Sequence, residues 1–402
     1  MAVLKFLTIL TITLLPVGEL GRYIIPSIGS APLVLNDVLV GVTVGYWVVY
    51  KIKQKELIGG VLCLPIFLFL AVCLLSLLVN STVLSPPQLF VSSLYILRWG
   101  MYAGLYFVVK DLTTVFKQKI MLLLVSIGQV IVGIGYLQYF FYPSLRNLYY
   151  LGWDEHLYRM FSVFLDPNFA GVVFVLIFLL TVGIGMRKYR DQNHGMFFIL
   201  AVFSFLDIGA IYLTYSRSAL LMLVVSLFVF LWFYGMKKYL AGVFVLLLIF
   251  LFFSPKSFQT EGTNIFRIAS SEARIESAKT AIEIAQKQPL FGVGFNAYRY
   301  AQNRYGYLTD KKWGETHAGA GTDNSYLFVL ATTGIIGIGV YLFLLYRMTV
   351  LTLKKREVMH IVVLSSLTGV FISSLFINSL FYIFIMEWLW ILLGTTEHTS
   401  RG

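Results

Sequence analysis

The sequence predicts an all-α polytopic membrane protein with about twelve transmembrane helices and one large external loop containing an amphipathic helix. Three observations carry this. Only 12% of the 402 residues are charged and 58% are hydrophobic, whereas a soluble domain carries about 25% charged residues. The mean hydropathy is +0.82, and it arises from long uninterrupted apolar runs, each near the ~20 residues that a bilayer core requires. The runs do not alternate with a period of two, so they do not read as the short segments of a β-barrel.

The runs fall at 3–19, 32–50, 57–79, 88–109, 120–142, 168–186, 195–213, 218–235, 239–254, 323–346, 358–376 and 378–394. The chain thus divides into nine spans over 1–254, a polar loop over 255–322, and three spans with a tail over 323–402. The first run resembles the apolar part of a signal peptide, but no small-residue cleavage site follows it, and it reads as the first span. Cys63 and Cys73 share one apolar run, which suits neither a disulfide nor a metal site.

Net charge is +12, a balance that in a soluble chain would suggest nucleic acid. Here the distribution gives another reason. Fifteen Lys and Arg residues lie in alternate loops, around Lys51–Lys55, Lys110–Lys119, Arg187–Arg190, Lys237–Lys238 and Arg347–Arg356, against four in the opposite short loops, at Arg22, Arg146, Arg159 and Arg217. The positive-inside rule puts the fifteen in the cytoplasm with both termini, and the 255–322 loop outside; loops of that length escape the rule. No internal repeat is evident, which weakens an inverted-repeat transporter.

Residues 271–287 of the loop predict a helix. Ile275, Ala278, Ile282 and Ala285 share one face, Ser270 or Ser271 caps the start, Glu272 suits the first turn and Pro289 follows the end. Such a helix would rest on the membrane surface or on the bundle. It carries Arg274, which either faces a cavity mouth or snorkels at the surface. Arg159 and Arg217 also lie near outer span ends, and Arg217 belongs to a very short connection, Tyr215-Ser216-Arg217-Ser218. Guanidinium groups bind phosphate oxygens bidentately, so three of them facing one outer cavity would suit a lipid diphosphate; interfacial anchoring is the alternative for each.

Two candidate bases follow. Asp323 immediately precedes an apolar run, where partial desolvation equips a carboxylate for general base work, or where it serves as a helix N-terminal residue. His317 lies in the small-residue segment Thr316-His317-Ala318-Gly319. Inside the runs stand Arg98, Asp207 and Glu387, which should face the bundle interior; an Arg98–Asp207 pair is one arrangement. The chain has no Walker loop, HExxH, metal-spaced cysteine pair or dinucleotide fingerprint. Asn80-Ser81-Thr82 matches a glycosylation sequon.

Together, Ser216-Arg217 opening a span, Arg274 in a loop helix, Pro289-Leu290-Phe291-Gly292-Val293-Gly294-Phe295, and Asp323-Asn324 followed nine residues later by Gly334-Ile335-Ile336-Gly337 resemble the O-antigen ligase and O-antigen polymerase superfamily. Arg159 with Asp166-Pro167-Asn168 is similar to that family's upstream arginine segment. The resemblance implies a multi-pass protein of the bacterial cytoplasmic (inner) membrane. It implies a glycosyltransferase that needs no metal or other cofactor and inverts the anomeric centre. The donor would be a glycan on a polyprenyl (undecaprenyl) diphosphate carrier, and the acceptor a glycan or lipid, with no nucleic acid involved. Arg159, Arg217 and Arg274 would hold the diphosphate, with Asp323 or His317 as base and Asn324, Gly292, Gly294, Gly334 and Gly337 as structural motif residues. Ligases place histidine where this chain has Asp323, which leans the reading towards polymerase, with ligation to lipid A–core as the alternative and transport or flipping as the alternative of another class.

The topology has a direct test. A reporter active only outside the cytoplasm should be active when fused after Gly262 and silent after Lys188; the reverse pattern would invert the protein.

Overall fold

The computed structural model describes residues 1–24, 32–243, 245, 269–308 and 321–397. In chain order its α-helices are α1 (Ala2–Leu14), α2 (Leu35–Gln54), α3 (Cys63–Val79), α4 (Pro86–Lys110), α5 (Thr114–Phe141), α6 (Pro167–Arg190), α7 (His194–Leu213) and α8 (Arg217–Tyr234), then α9 (Ala269–Lys287), α10 (Tyr298–Arg304), α11 (Ser325–Leu353), α12 (Val358–Ser373) and α13 (Ile383–Thr396). All except α9 and α10 correspond to expected spans. The expected span at 239–254 lies mostly outside the described residues. Six helices are long and apolar enough to cross a membrane, and α3, α12 and α13 are shorter apolar helices.

One small departure from all-α structure follows α1. A 3-10 turn (Leu15–Gly21) leads into β1 (Arg22–Ile24), which pairs antiparallel with β2 (Pro32–Val34). The run expected as a span from 32 therefore becomes helical only at Leu35, because Val34 is extended and its N–H donates to Asp37 Oδ2 at 2.9 Å, closing the first turn of α2.

Helix α6 sits near the centre, packed against α5, α7, α8 and α12, and α13 packs on α4. The core-facing residues of α6 and α13 are almost continuous along each helix, which marks them as the inner members of the bundle. Arg98 pairs with Asp37 at 2.8 Å, not with Asp207. The reason is packing: α2 lies on α4, whereas Asp207 is on α7, which lies on α5 and α6, and there Gln129 Nε2 donates to it at 3.2 Å. Cys63 and Cys73 are both free thiols.

The basic connections gather at one end. There Lys51 bonds Asp111 at 2.6 Å and Glu56 at 2.9 Å, and Arg347 donates to the Val61 carbonyl at 3.1 Å. The Asn80, Arg159, Arg217 and Asp323 segments gather at the other end, as their mutual contacts show.

That second end is built around a break in α11. Gly334 adopts φ 69°, ψ −168°, which interrupts the helix. In an intact helix the Ile335 and Ile336 N–H groups would donate to the Ala331 and Thr332 carbonyls. Instead Ile335 N–H donates to the Pro289 carbonyl at 2.8 Å and Ile336 N–H to the Leu290 carbonyl at 3.4 Å. The vacated Ala331 and Thr332 carbonyls accept from Val293 N–H at 3.0 Å and Gly294 N–H at 3.1 Å. The Pro289–Gly294 turn thus replaces each lost helical bond. Ser76 Oγ lies 2.7 Å from both the Phe291 and Thr332 carbonyl oxygens, and Asn80 Nδ2 donates to the Gly292 carbonyl at 2.9 Å. Asn80 is thereby buried, 4% exposed, so its sequon is a packing residue.

Two glycines make this close approach possible. Gly292 and Gly334 both have positive φ, and a Cβ on either would collide with backbone of the other segment, Thr332 for the first and Leu290 for the second. Gly337 packs against the Thr333 side chain. Backbone strain alone at Gly334→Ala costs about 1–3 kcal/mol, with the collision added. In detergent, Gly334→Ala and Gly292→Ala should each lower the thermal unfolding midpoint, while Gly339→Ala, where nothing lies within 4 Å of the new Cβ, should leave it unchanged or raise it.

Candidate active site

Arg217 is the first residue of α8. Ser216 caps that helix through its Oγ, which accepts from Ala219 N–H at 3.4 Å, and the preceding Tyr215 turns the chain with φ 50°. The turn is braced from behind: Arg159 Nε donates to the Thr214 carbonyl at 2.9 Å, and Met160 N–H to the Leu213 carbonyl at 2.8 Å. A cation at a helix N-terminus opposes the macrodipole. Arg217 together with the first turn of α8 therefore forms a concentrated positive site suited to an anion.

Arg274 is carried to the same place by α9, which packs on α11. One turn beyond it, Ser277 fixes the distance. Asp323 N–H donates to Ser277 Oγ at 3.3 Å, and Ser277 Oγ donates to Thr322 Oγ1 at 3.3 Å. Residues three apart on a helix share a face, so this bond brings Arg274 and Asp323 together. The face that packs is not the expected stripe. Ala281, Ile284 and Ala285 are buried, while Ile275 and Ile282 are 56% and 44% exposed. Small side chains on the packing side let α9 approach α11 closely, and Ile275 is left to line the cavity beside Arg274.

Asn324 fixes the other end of Asp323. Its Oδ1 caps α11 by accepting from Tyr326 and Leu327 N–H at 2.8 and 3.0 Å, and its Nδ2 donates to the Leu375 carbonyl at 3.0 Å. Ser325 N–H donates to the Ser374 carbonyl at 2.9 Å. These bonds draw the turn after α12 to the site, where Phe376 joins Arg217, Ser218, Leu221, Arg274 and Ile275 around a cavity of about 330 Å³.

Four charges interact here. Burial pulls the Arg274 pKa down, Arg217 adds to that by repulsion, and Asp323 and Asp166 oppose it. Asp323 is open to the cleft at its surface, yet enough protein surrounds it that loss of hydration pushes its pKa above the ordinary 3.8; Asp166 adds to the rise and Arg274 opposes it. Two guanidinium groups can hold an anion, and a carboxylate of raised pKa beside them can take up a proton. Among the described residues no three His, Cys, Asp or Glu side chains cluster as a metal site requires.

Arg217, Arg274 and Asp323 are thus brought together. Arg159 does not line the cavity; it is 4% exposed and supports the Arg217 turn, with Nη2 3.4 Å from Asn168 Oδ1. His317 lies outside the described residues. Gly292, Gly294, Gly334 and Gly337 belong to the α11 break rather than to the cavity. Sequence reasoning missed Ser277, whose only signal is its position one turn after Arg274. It gave Asp166 no role of its own; the signal was Asp-Pro-Asn at a helix start, and Asp166 does cap α6, accepting from Asn168 N–H at 2.6 Å. Tyr298 was also missed: its buried hydroxyl has no hydrogen-bond partner among the described residues, and the Asp323 charge reaches it.

Residues 202–342 match the O-antigen ligase family. The matched stretch runs from within α7 to within α11 and holds Arg217, Arg274, Asp323, Asn324 and both halves of the hydrogen-bond exchange at Gly334. The resemblance carried by those motifs therefore holds across this stretch, and it associates the chain with membrane polysaccharide assembly. No curated protein matches the chain.

The raised pKa of Asp323 has a consequence for stability. A folded pKa above the unfolded one contributes stability below the unfolded value, and that contribution is lost as pH rises through the folded value. At neutral pH the ionised carboxylate therefore opposes folding. Asp323→Asn should raise the thermal unfolding midpoint at pH 7, with the difference from wild type vanishing as pH falls below 4; a lower midpoint at pH 7 would mean that Asp323 is held by its ion pair.

Proposed function

We propose that this protein is a membrane glycosyltransferase of surface polysaccharide assembly, polymerising glycan repeat units from a polyprenyl diphosphate carrier on the outer face of the bacterial cytoplasmic membrane. The observation that carries the reading is the shared cavity of Arg217 and Arg274 with Asp323 in electrostatic contact. The two guanidinium groups hold the donor diphosphate and stabilise the charge that grows on it as it leaves. An acceptor hydroxyl attacks the anomeric carbon. The new C–O bond forms as the bond to the diphosphate breaks, the proton passes to Asp323, and the polyprenyl diphosphate departs. A single displacement of this kind inverts the anomeric centre. Fixed guanidinium groups supply the positive charge, so the reading requires no metal ion or other cofactor. Arg159 supports the site by holding the Arg217 turn, both termini lie in the cytoplasm, and the exposed apolar faces of the outer helices meet membrane lipid.

Ligation of the glycan to lipid A–core is the second reading, favoured by the O-antigen ligase family that residues 202–342 match. Asp323 in place of the ligase histidine favours polymerisation. Transport is less well supported. Broken helices in transporters line the substrate path with their freed backbone groups, whereas the freed groups at Gly334 are consumed by the Pro289–Gly294 turn.

Arg217→Ala and Arg274→Ala should each lower transfer by about 10²–10³-fold, the usual loss for one electrostatic stabiliser, at unchanged protein level. Arg217→Lys should recover part of the loss, since it keeps the charge but not the bidentate geometry. Glycan length and attachment in cells give the readout, and normal product from both alanine variants would sink the diphosphate role. In a deletion strain, single repeats on the acceptor would mean polymerase, and carrier-linked polymer would mean ligase.

A further inference from the structure

A second cavity shares a wall with the first. The Gly321–Ser325 segment and the turn after α12 contribute to both: Phe376 lines the first, while Gly321, Asn378 and Phe381 line the second. The second cavity has a volume of about 240 Å³ and reaches from the loop into the bundle. Its lining includes Arg22, Arg98 and Arg299, and no Asp or Glu among the described residues.

These arginines are held in place. Asp37 bonds Arg98 at 2.8 Å, and the Arg98 guanidinium lies 5.0 Å from the Tyr95 ring centre. Glu19 lies 3.6 Å from Arg22, whose guanidinium covers the Trp153 ring at 5.3 Å. Arg299 comes from α10, and burial holds its pKa below the ordinary arginine value. Two counter-carboxylates stand behind three arginines, so the cavity surface is positive. The remaining walls suit a sugar. Tyr95, Trp99 and Tyr300 offer ring faces and hydroxyls, Asn296 offers an amide, and Asn378 carries a buried Oδ1 with no hydrogen-bond partner among the described residues. A sugar hydroxyl is a donor of the right kind for such an acceptor. A mostly apolar and aromatic cavity with a few placed polar groups is the usual form of a small-ligand site.

We propose that this cavity binds a sugar bearing an oxyanion, a carboxylate or a phosphate, and that this sugar belongs to the acceptor glycan. The last clause rests on the glycosyl-transfer reading. Asp323, in the shared wall, then stands between a donor diphosphate on one side and an acceptor sugar on the other, as proton removal from the attacking hydroxyl requires.

The test is calorimetric titration of the full-length protein in detergent with glucuronate, glucose 1-phosphate, glucose and inorganic diphosphate. Wild type, Arg299→Ala, Arg299→Lys and Arg217→Ala are compared after their thermal midpoints have been matched. At least one of the two charged sugars should bind wild type and weaken by tenfold or more in Arg299→Ala. Arg299→Lys should lose less, and Arg217→Ala should bind as wild type; glucuronate or glucose 1-phosphate as the better ligand identifies the oxyanion. Unchanged binding in Arg299→Ala, equal binding of neutral glucose, or no binding of either charged sugar would overturn the proposal. Inorganic diphosphate should depend on Arg217 and not on Arg299; dependence on Arg299 would make this a bare diphosphate site and overturn the sugar assignment. If charged sugars depend on Arg299 while diphosphate ignores Arg217, the anionic-sugar site stands and the donor reading fails.

Discussion

The exchange of backbone hydrogen bonds between the broken helix α11 and the Pro289–Gly294 turn is the constraint on which the functional end of this protein depends. A helix interrupted inside an apolar bundle leaves N–H and C=O groups without partners, and each costs several kcal/mol where water is absent. The break at Gly334 removes two helical bonds, and the turn restores four contacts, two to each side of the break. The loop is thereby locked to the bundle at main-chain level, which is stiffer than a side-chain contact. The gap between α9 and α10 is also set by this turn, so Arg274 on one side and Arg299 on the other inherit their positions from it.

The site is assembled from segments distant in sequence by short polar bonds at helix ends. Ser216 caps α8 beside Arg217, Asn324 caps α11 beside Asp323, and Asp166 caps α6 nearby. A cap has a fixed geometry because it must reach particular N–H groups. Placing a charged residue next to a cap therefore fixes its backbone without spending its side chain. That arrangement leaves the Arg217 guanidinium and the Asp323 carboxylate available to the cleft while their main chains are rigid, the pre-organisation that electrostatic stabilisation of a leaving group requires.

Much of this was legible in the sequence, for reasons that can be named. Apolar runs report spans because the bilayer demands them, and their ends fell close to the helix ends. Arg217 stood out because its connection is too short to let it wander, and Arg274 because it lies on a periodic segment. Other features were not legible. The stripe Ile275–Ala278–Ile282–Ala285 was read as the packing face by hydrophobicity, but α9 packs through Ala281, Ile284 and Ala285, because close approach to α11 favours small residues and leaves the isoleucines for the cavity and the exposed side. Asn80 looked like a sequon; only its bond to Gly292, 212 residues away, shows its work. The pairing of Arg98 with Asp37 rather than Asp207 followed from which helices are neighbours, and no local pattern encodes that.

By itself the sequence determined the class of the protein, the positions of its spans, the sidedness suggested by its loops, and the set of charged residues worth attention. Those are properties of single segments: hydropathy, length, spacing and charge. The tertiary structure decided which of the charges meet. It set Arg217, Arg274 and Asp323 at one cleft, moved Arg159 behind the turn, and opened a second arginine-lined cavity from Arg22, Arg98 and Arg299 across a shared wall. Convergence of that kind depends on helix packing and on bonds between residues tens to hundreds of positions apart, and a chain read residue by residue carries no record of those distances.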